Sequence, residues 1–393
     1  MTNLANSTAA QQAIDAVLAG QRQLVLACTG GGSGAVAALV QTPGASRVVL
    51  EAVVPYSAAA LTEWLNAAPE QACSAATARA MAMAAWQRAR QLATDTPPED
   101  LVGVGCTASL ATDRSKRGPH RVHVAVQSAV ATRSLSLTLE KGARTRAEEE
   151  AVAAALVLDA LAWRQGQGDA ALTTELLRPG EAVEVQMTHA AGPLAELLCG
   201  RISAALYERG EWLVGDAMCS RIANAALFPG AFNPLHEGHR QMAALAAKRL
   251  QRPVIFEMSA ANVDKPPLDF QAIQERLSQF EADAVLLTCS PTFVEKARLA
   301  PGAPMVVGAD TIERIGQARY YGDDPAARDA ALAELAAAGR RFLVFGRASG
   351  AGFQTLADLD LPPALAALCD GVDEGEFRND VSSTALRNGG NEQ

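Results

Sequence analysis

Ala226-Leu-Phe-Pro-Gly-Ala-Phe-Asn-Pro-Leu-His-Glu-Gly-His239 is the stretch on which the reading of this chain turns. The apolar run Ile222 to Phe228, broken by one Asn, predicts a buried strand. A Pro/Gly turn follows, then two histidines three residues apart where a helix begins. The first turn of a helix presents unbonded backbone N–H groups and the positive end of the helix dipole, so it attracts anions. Two imidazoles at that point aim at the same anion. The arrangement points to chemistry on a nucleotide phosphate.

Working outward, residues 222–393 read as one α/β unit. Strand 222–228 leads into a helix over 237–250. Val254–Met258, Ala284–Leu287, Met305–Val307 and Phe342–Phe345 are short apolar strands, with helices over 270–280, 311–317, 326–338 and 383–388. Short apolar strands alternating with helices predict a doubly wound (Rossmann-like) parallel sheet with ligands at the C-terminal strand ends. Residues 1–165 read as a second α/β domain. It holds a helix at Gln11–Leu18 and a strand at Gln23–Cys28 running into Thr29-Gly-Gly-Gly-Ser-Gly34. A helix at Ala35–Val40 and a strand at Arg47–Val54 follow, then a long Ala-rich helix over Ala72–Ala93. Strands at Leu101–Gly105, Arg121–Val126 and Ser134–Glu140 and a helix at Ala147–Trp163 complete it. Residues 166–221 read as a connector, with a helix over Leu194–Leu206.

Four pieces of the C-terminal domain fall at strand ends or helix starts. They are the loop from Gly230 through Phe232 and Asn233 to His236 and His239; Asn262-Val-Asp-Lys265, followed by Arg276; Val306-Val-Gly308-Ala-Asp310-Thr; and Asn379-Asp-Val-Ser382-Ser383-Thr384-Ala-Leu-Arg387. The last reads as a helix N-terminus in which Ser/Thr hydroxyls and free N–H groups form a phosphate nest. Arg387, one turn along, can clamp a phosphate in bidentate fashion.

With these residues in view, the region 222–390 resembles the nucleotidylyltransferase superfamily with the H-x-G-H signature. His236-Glu-Gly-His239 matches that signature, and Val381–Arg387 matches its I-S-S-T-x-x-R partner. Within the superfamily it is most similar to the nicotinate/nicotinamide mononucleotide adenylyltransferases, which share the Gly230–His239 opening and a G-x-D block like Gly308-Ala-Asp310. The resemblance implies transfer of a nucleotidyl group, most simply adenylyl from ATP, to a mononucleotide-like phosphate such as nicotinate or nicotinamide mononucleotide, with release of pyrophosphate. His236, His239 and Arg387 would be catalytic. Gly230, Phe232, Asn233, Gly308, Asp310, Ser382, Ser383 and Thr384 would bind nucleotide, and Lys265 and Arg276 are candidates for the acceptor phosphate. Mg²⁺ would ride with the triphosphate rather than in a protein cage, and no metal site of the protein is expected. Two alternatives stay open: a cytidylyl- or adenylyltransferase for another phosphate monoester, and a nucleotide-binding regulator without turnover.

The N-terminal domain carries a second resemblance. Cys28-Thr29-Gly30-Gly31, Ser46 and Tyr56-Ser57 resemble blocks of the C-terminal domain of the competence/damage-inducible protein CinA family, which includes nicotinamide mononucleotide deamidases. Thr29, Gly30, Gly31, Ser46 and Tyr56 are the pocket candidates that this implies. Ala27 replaces the serine of the first block, and Leu61 stands where the family's lysine is placed. That lysine would be the natural base for a serine nucleophile. The expectation is a retained ligand-binding or oligomerising domain, giving a homo-oligomer, without deamidase chemistry.

Composition narrows the classes further. A net charge of −9 argues against a general nucleic-acid binder. No apolar run reaches the roughly 18 residues of a membrane span. The N-terminus lacks a basic region followed by an apolar one, so no secretory signal is visible. Seven scattered cysteines, without a C-x-x-C, suit a reduced cytoplasm. The partners expected are a nucleoside triphosphate and a small phosphate-bearing acceptor, with no nucleic acid and no membrane.

Overall fold

The structure, a computed structural model, describes residues 7–113, 117–163, 171–261, 265–349 and 352–379. Its packing divides the chain into two units, Met1–Ala195 with Asp264–Gln271, and Glu196–Val263 with Ala272–Gln393. Both are α/β.

The first unit is built on a six-stranded sheet in the order β2-β1-β3-β4-β5-β6. Its strands are β1 (Gln23–Cys28), β2 (Val49–Val53), β3 (Leu101–Ser109), β4 (His120–Gln127), β5 (Ala131–Leu139) and β6 (Val183–His189). β1 runs parallel to β2 and β3, and β3 to β6 form an antiparallel meander. The Ala75–Leu92 helix lies directly on β3 because Gly103 and Gly105 have no side chains. A Cβ on Gly103 would sit 2.1 Å from the Ala82 carbonyl oxygen, and one on Gly105 2.2 Å from that of Ala78. The opposite face packs Leu24, Leu26, Val104, Val124 and Leu135 against Ile14, Leu39 and Leu156 of three further helices. One of these, Arg146–Ala162, opens with a capping box between Thr145 and Glu148. In the 264–271 segment, the Asp269 carboxylate takes the buried Arg79 guanidinium at 3.3 Å.

The second unit carries an eight-stranded sheet in the order β16-β13-β12-β9-β10-β11-β7-β8. Its strands are β7 (Ala204–Glu208), β8 (Glu211–Leu213), β9 (Ala226–Pro229), β10 (Val254–Ser259), β11 (Val285–Thr288), β12 (Met305–Gly308) and β13 (Phe342–Phe345). A separate hairpin of β14 (Arg347–Ser349) and β15 (Gly352–Gln354) precedes the last strand, β16 (Cys369–Val372). From β9 the chain moves outward to β10 and β11, then returns to the other side of β9 for β12, β13 and β16. These six strands are parallel, and the order reverses between β9 and β12. A crevice at such a reversal is where open α/β sheets bind ligands.

The sheet is nevertheless mixed, which corrects the expectation of a purely parallel one. The β7–β8 hairpin adds to β11 antiparallel. Its turn is made by Arg209 and Gly210, at φ +52 and +86, and two positive φ values in a two-residue turn match the twist of a hairpin. Residues 166–221, read as a connector, thus supply β6 to the first sheet and β7–β8 to the second. Two further boundaries change. Ile222 ends a helix, Gly215–Ile222, whose Met218 and Ile222 are buried four residues apart, so the strand before the Pro/Gly turn is only Ala226–Pro229. The helix expected over Leu194–Leu206 stops at Leu198, and Gly200, at φ +76, turns the chain into β7. The helix expected over 383–388 lies outside the described residues. No described helix is long and apolar enough to cross a membrane.

Candidate active site

The loop after β9 is fixed by steric fit. The Gly230 N–H donates to the Glu257 carbonyl on β10 at 2.9 Å. Glu257 is itself locked: its buried carboxylate accepts from Lys296 Nζ at 2.8 Å and from Thr288 Oγ1 at 2.6 Å. Gly230 has no room for a side chain, because a Cβ would lie 2.4 Å from Phe232 Cζ. Phe232, at φ +45 and 2% exposed, drives its ring edge-on into Phe228, Phe256 and Phe280 with centroids 5.5, 5.1 and 5.5 Å away. The same ring meets His239 at 5.2 Å. Phe232 is thus an aromatic wedge behind the histidine. Asn233 is exposed and precedes Pro234 through a cis peptide bond.

The loop is also clasped from outside. Arg276, in the last turn of the Phe270–Leu277 helix, donates from Nη1 to the Ala231 carbonyl at 3.0 Å. Gln279, just beyond that helix, accepts the Leu235 N–H on Oε1 at 2.8 Å. Arg276 therefore braces the histidine loop and is not among the residues lining the cavity described below.

His236 is the N-cap of the Glu237–Leu250 helix, and its N–H donates to His239 Nδ1 at 3.3 Å. An Nδ1 that accepts leaves the ring proton on Nε2, so His239 presents an N–H donor on the side away from the backbone. The two rings stack at 3.7 Å. Burial holds the His236 imidazole below its ordinary value. Burial first, and then the neighbouring His236, push His239 down to about 4. Both shifts favour the neutral form of the ring, in which one nitrogen carries a hydrogen-bond donor, and the buried His236 Nδ1 has no partner among the described residues.

The rings open into a cavity of about 430 Å³, the size range of small-ligand sites. Its floor is the reversal point of the sheet. Pro229 and Gly230 come from the end of β9, Gly308 from the end of β12, and Gly346 follows β13. Gly308 is the N-cap of the Ala309–Gly316 helix, so a second helix N-terminus faces the cavity from its other side. Asp310, in the first turn of that helix, accepts from Arg347 on β14. Phe377 and Asn379 close the rim. Asn379 opens the fourth of the pieces read from the sequence, whereas Arg347, Gly346 and Phe377 were not singled out there. Arg347 follows an apolar strand, and the rule that ligands gather at strand C-terminal ends was the signal that could have found it.

Not every expected residue comes together here. Ser382, Ser383, Thr384 and Arg387 lie outside the described residues. Lys265 belongs to the 264–271 segment of the first unit. The N-terminal candidates belong to the Met1–Ala195 part of that unit. Thr29 Oγ1 bonds Thr107 Oγ1 at 3.2 Å. Gly30 lies under Tyr56, with an added Cβ only 2.5 Å from its Cε2, and Tyr56 itself is 73% exposed. The turn after Gly31 is filled from within: Glu150 accepts from the N–H groups of Gly32 and Gly34 at 3.0 Å each and from the Ser33 hydroxyl at 3.3 Å. An internal carboxylate occupies the nest that an external phosphate would use. Ser46 is exposed on a short 3₁₀ turn, and Leu61 is buried beside Leu65 and Met81.

Comparison with known proteins places the second unit. Residues 227–389 match the family model described as cytidylyltransferase-like. Among solved structures, the chain is similar to the competence/damage-inducible protein CihA from Agrobacterium tumefaciens. The identity is 21%, the match covers 40% of this chain and 89% of that one, and the TM-score is 0.29. So loose a superposition supports no assignment for the first unit. No curated protein matches the chain. With its stacked histidines at the head of a helix and its parallel strands reversing at the cavity floor, the region 227–389 is a cytidylyltransferase-like nucleotidyltransferase domain.

Proposed function

We propose that this domain transfers a nucleotidyl group from a nucleoside triphosphate to a phosphate monoester and releases pyrophosphate. The observation that carries the reading is the pair of stacked histidines at a helix N-terminus, opening into a cavity at the reversal point of the sheet. An acceptor phosphate oxygen attacks the α-phosphorus, forming the new phosphoanhydride bond. The bond to the bridging oxygen breaks, and pyrophosphate leaves with the electron pair. No covalent enzyme intermediate is required, so the protein's work is positioning and stabilising charge. His239 Nε2–H, aimed by its backbone bond and by Phe232, donates to the α-phosphate oxygens as charge builds there. His236 and the N–H groups of the helix assist. Ser382, Ser383, Thr384 and Arg387 are assigned to the β- and γ-phosphates on their sequence pattern. Mg²⁺ enters as part of the triphosphate substrate, shielding its charge.

The acceptor is left as a class. The Gly230–His239 opening and Gly308-Ala-Asp310 favour a narrower reading, adenylyl transfer to nicotinate or nicotinamide mononucleotide. No chemistry is assigned to the first unit, where Leu61 is a core residue and Glu150 fills the glycine turn. The test is pyrophosphate release from ATP and CTP, each with a panel of phosphate monoesters that includes both pyridine mononucleotides, a polyol phosphate and phosphopantetheine. Release that depends on one acceptor supports the class and names the substrate. Release unaffected by either pyridine mononucleotide removes the narrower reading. Nucleotide binding with no release for any pair would make the domain a binding module.

A further inference from the structure

We propose that Arg347 is a phosphoryl-binding cation of this cavity, and that Asp310 holds its guanidinium in place until a substrate phosphate takes over. The proposal rests on the transfer reading above only for which substrate supplies that phosphate. Among the described residues lining the cavity, Arg347 is the one Lys or Arg. Burial disfavours the charged form of both histidines. A nucleotide and a phosphate monoester bring several negative charges into this space, and the resident counter-charge among these lining residues is the Arg347 guanidinium.

Its position is built. Gly346, the residue before it, could not carry a side chain, because a Cβ would lie 2.5 Å from Phe353 Cε1 and 2.6 Å from the Gln354 carbonyl oxygen. That fit folds β14 tightly onto β15 and starts Arg347 at the cavity wall. From the neighbouring strand end, Asp310 receives the guanidinium. The Arg347 side chain is 49% exposed and that of Asp310 42%, and ion pairs so open to water contribute little. Exchange of the carboxylate for a phosphate is therefore easy. A phosphate also offers more charge and more oxygens for the guanidinium fork than the carboxylate it replaces.

The pair makes opposite demands on the two variants. Arg347→Gln removes the cation. Asp310→Asn removes the competing anion and leaves the cation. Titration of inorganic pyrophosphate and inorganic phosphate into the full chain, with thermal unfolding to confirm folding, separates the cases. Losing a charge-assisted contact weakens pyrophosphate binding about tenfold or more in Arg347→Gln, with part restored by Arg347→Lys. Asp310→Asn binds pyrophosphate at least as tightly as the wild type. The proposal is overturned if Arg347→Gln stays within about twofold of wild type, if Asp310→Asn weakens binding as much as Arg347→Gln, as a merely structural pair would, or if the wild type binds neither anion. In turnover, a raised acceptor KM in Arg347→Gln assigns the contact to the acceptor's phosphate, a raised triphosphate KM assigns it to the triphosphate, and a rise in neither overturns it. A wild type that binds pyrophosphate but never releases it from a triphosphate removes the transfer reading and leaves the Arg347 assignment standing on the titrations.

Discussion

Gly230→Ala tests whether the fit behind the histidines controls the chemistry in front of them. The added Cβ would lie 2.4, 2.7 and 2.9 Å from three atoms of the Phe232 ring. Carbon atoms in contact prefer about 3.5–4.0 Å, so the ring must retreat by about 1 Å or more. It has little freedom to do so, being 2% exposed and wedged among Phe228, Phe256 and Phe280. The displacement passes to His239, whose ring is 5.2 Å away. Overpacking of this kind costs about 1–3 kcal/mol of stability. A catalytic donor misplaced by about 1 Å costs about a hundredfold in rate. Pyrophosphate release measured on folded protein, alongside thermal unfolding, reads both effects. Gly375→Ala, whose Cβ meets open space, is the control and keeps wild-type values. A Gly230→Ala enzyme turning over within about threefold of wild type would refute the claim that Phe232 sets the position of His239.

Three further outcomes follow from the same geometry. His239→Ala lowers kcat by about a hundredfold or more with a smaller change in nucleotide affinity, because its donor matters most as charge develops on the α-phosphate; separate measurement of kcat and nucleotide Kd checks it. His239 is held from its ordinary 6.5 down to about 4, so the unfolded chain binds the extra proton first, and the stability tied to the neutral ring is full above pH 6.5 and is lost as pH falls toward 4. Unfolding midpoints across that window fall more steeply for the wild type than for His239→Asn. In the first unit, Gly105→Ala forces a Cβ to 2.2 Å from the Ala78 carbonyl oxygen and 2.6 Å from the Ala82 nitrogen, both helix backbone atoms that cannot swing aside. It destabilises that unit by about 3 kcal/mol or more, seen as a lower midpoint or insoluble protein.

Much of this architecture was legible because its signals are local. Gln23–Cys28 and Phe342–Phe345 are strands as read, since short apolar runs buried on both faces announce themselves. His236 and His239 meet because they are the N-cap and third residue of one helix, positions whose side chains and backbone meet in a cap. The hairpin of β7 and β8 was missed because Arg209-Gly210 is not one of the familiar hairpin dipeptides, although Gly210 supplies the needed backbone. β6 was missed although Val183, Val185 and Met187 alternate with Glu184, Gln186 and Thr188 in the period-two pattern of a strand; its residues are mostly exposed, so no continuous apolar run marks it. Ile222 was misread because an apolar residue closing a helix and one opening a strand look alike when they adjoin. Arg347, Asp310 and Gln279 acquire their roles only when separate strands and helices are brought together, which no local spacing encodes. Arg276 shows the converse: a cation near the motif, read as a phosphate ligand, donates to the loop's own backbone.

In the proposed reaction the bond broken lies between the α- and β-phosphates. The most direct measurement follows the label from triphosphate carrying ³²P at the α or the γ position, incubated with Mg²⁺ and the acceptor panel. Nucleotidyl transfer requires the α label to appear joined to the acceptor and the γ label to appear in pyrophosphate. Transfer of the γ label to the acceptor, or its release as inorganic phosphate, would contradict it.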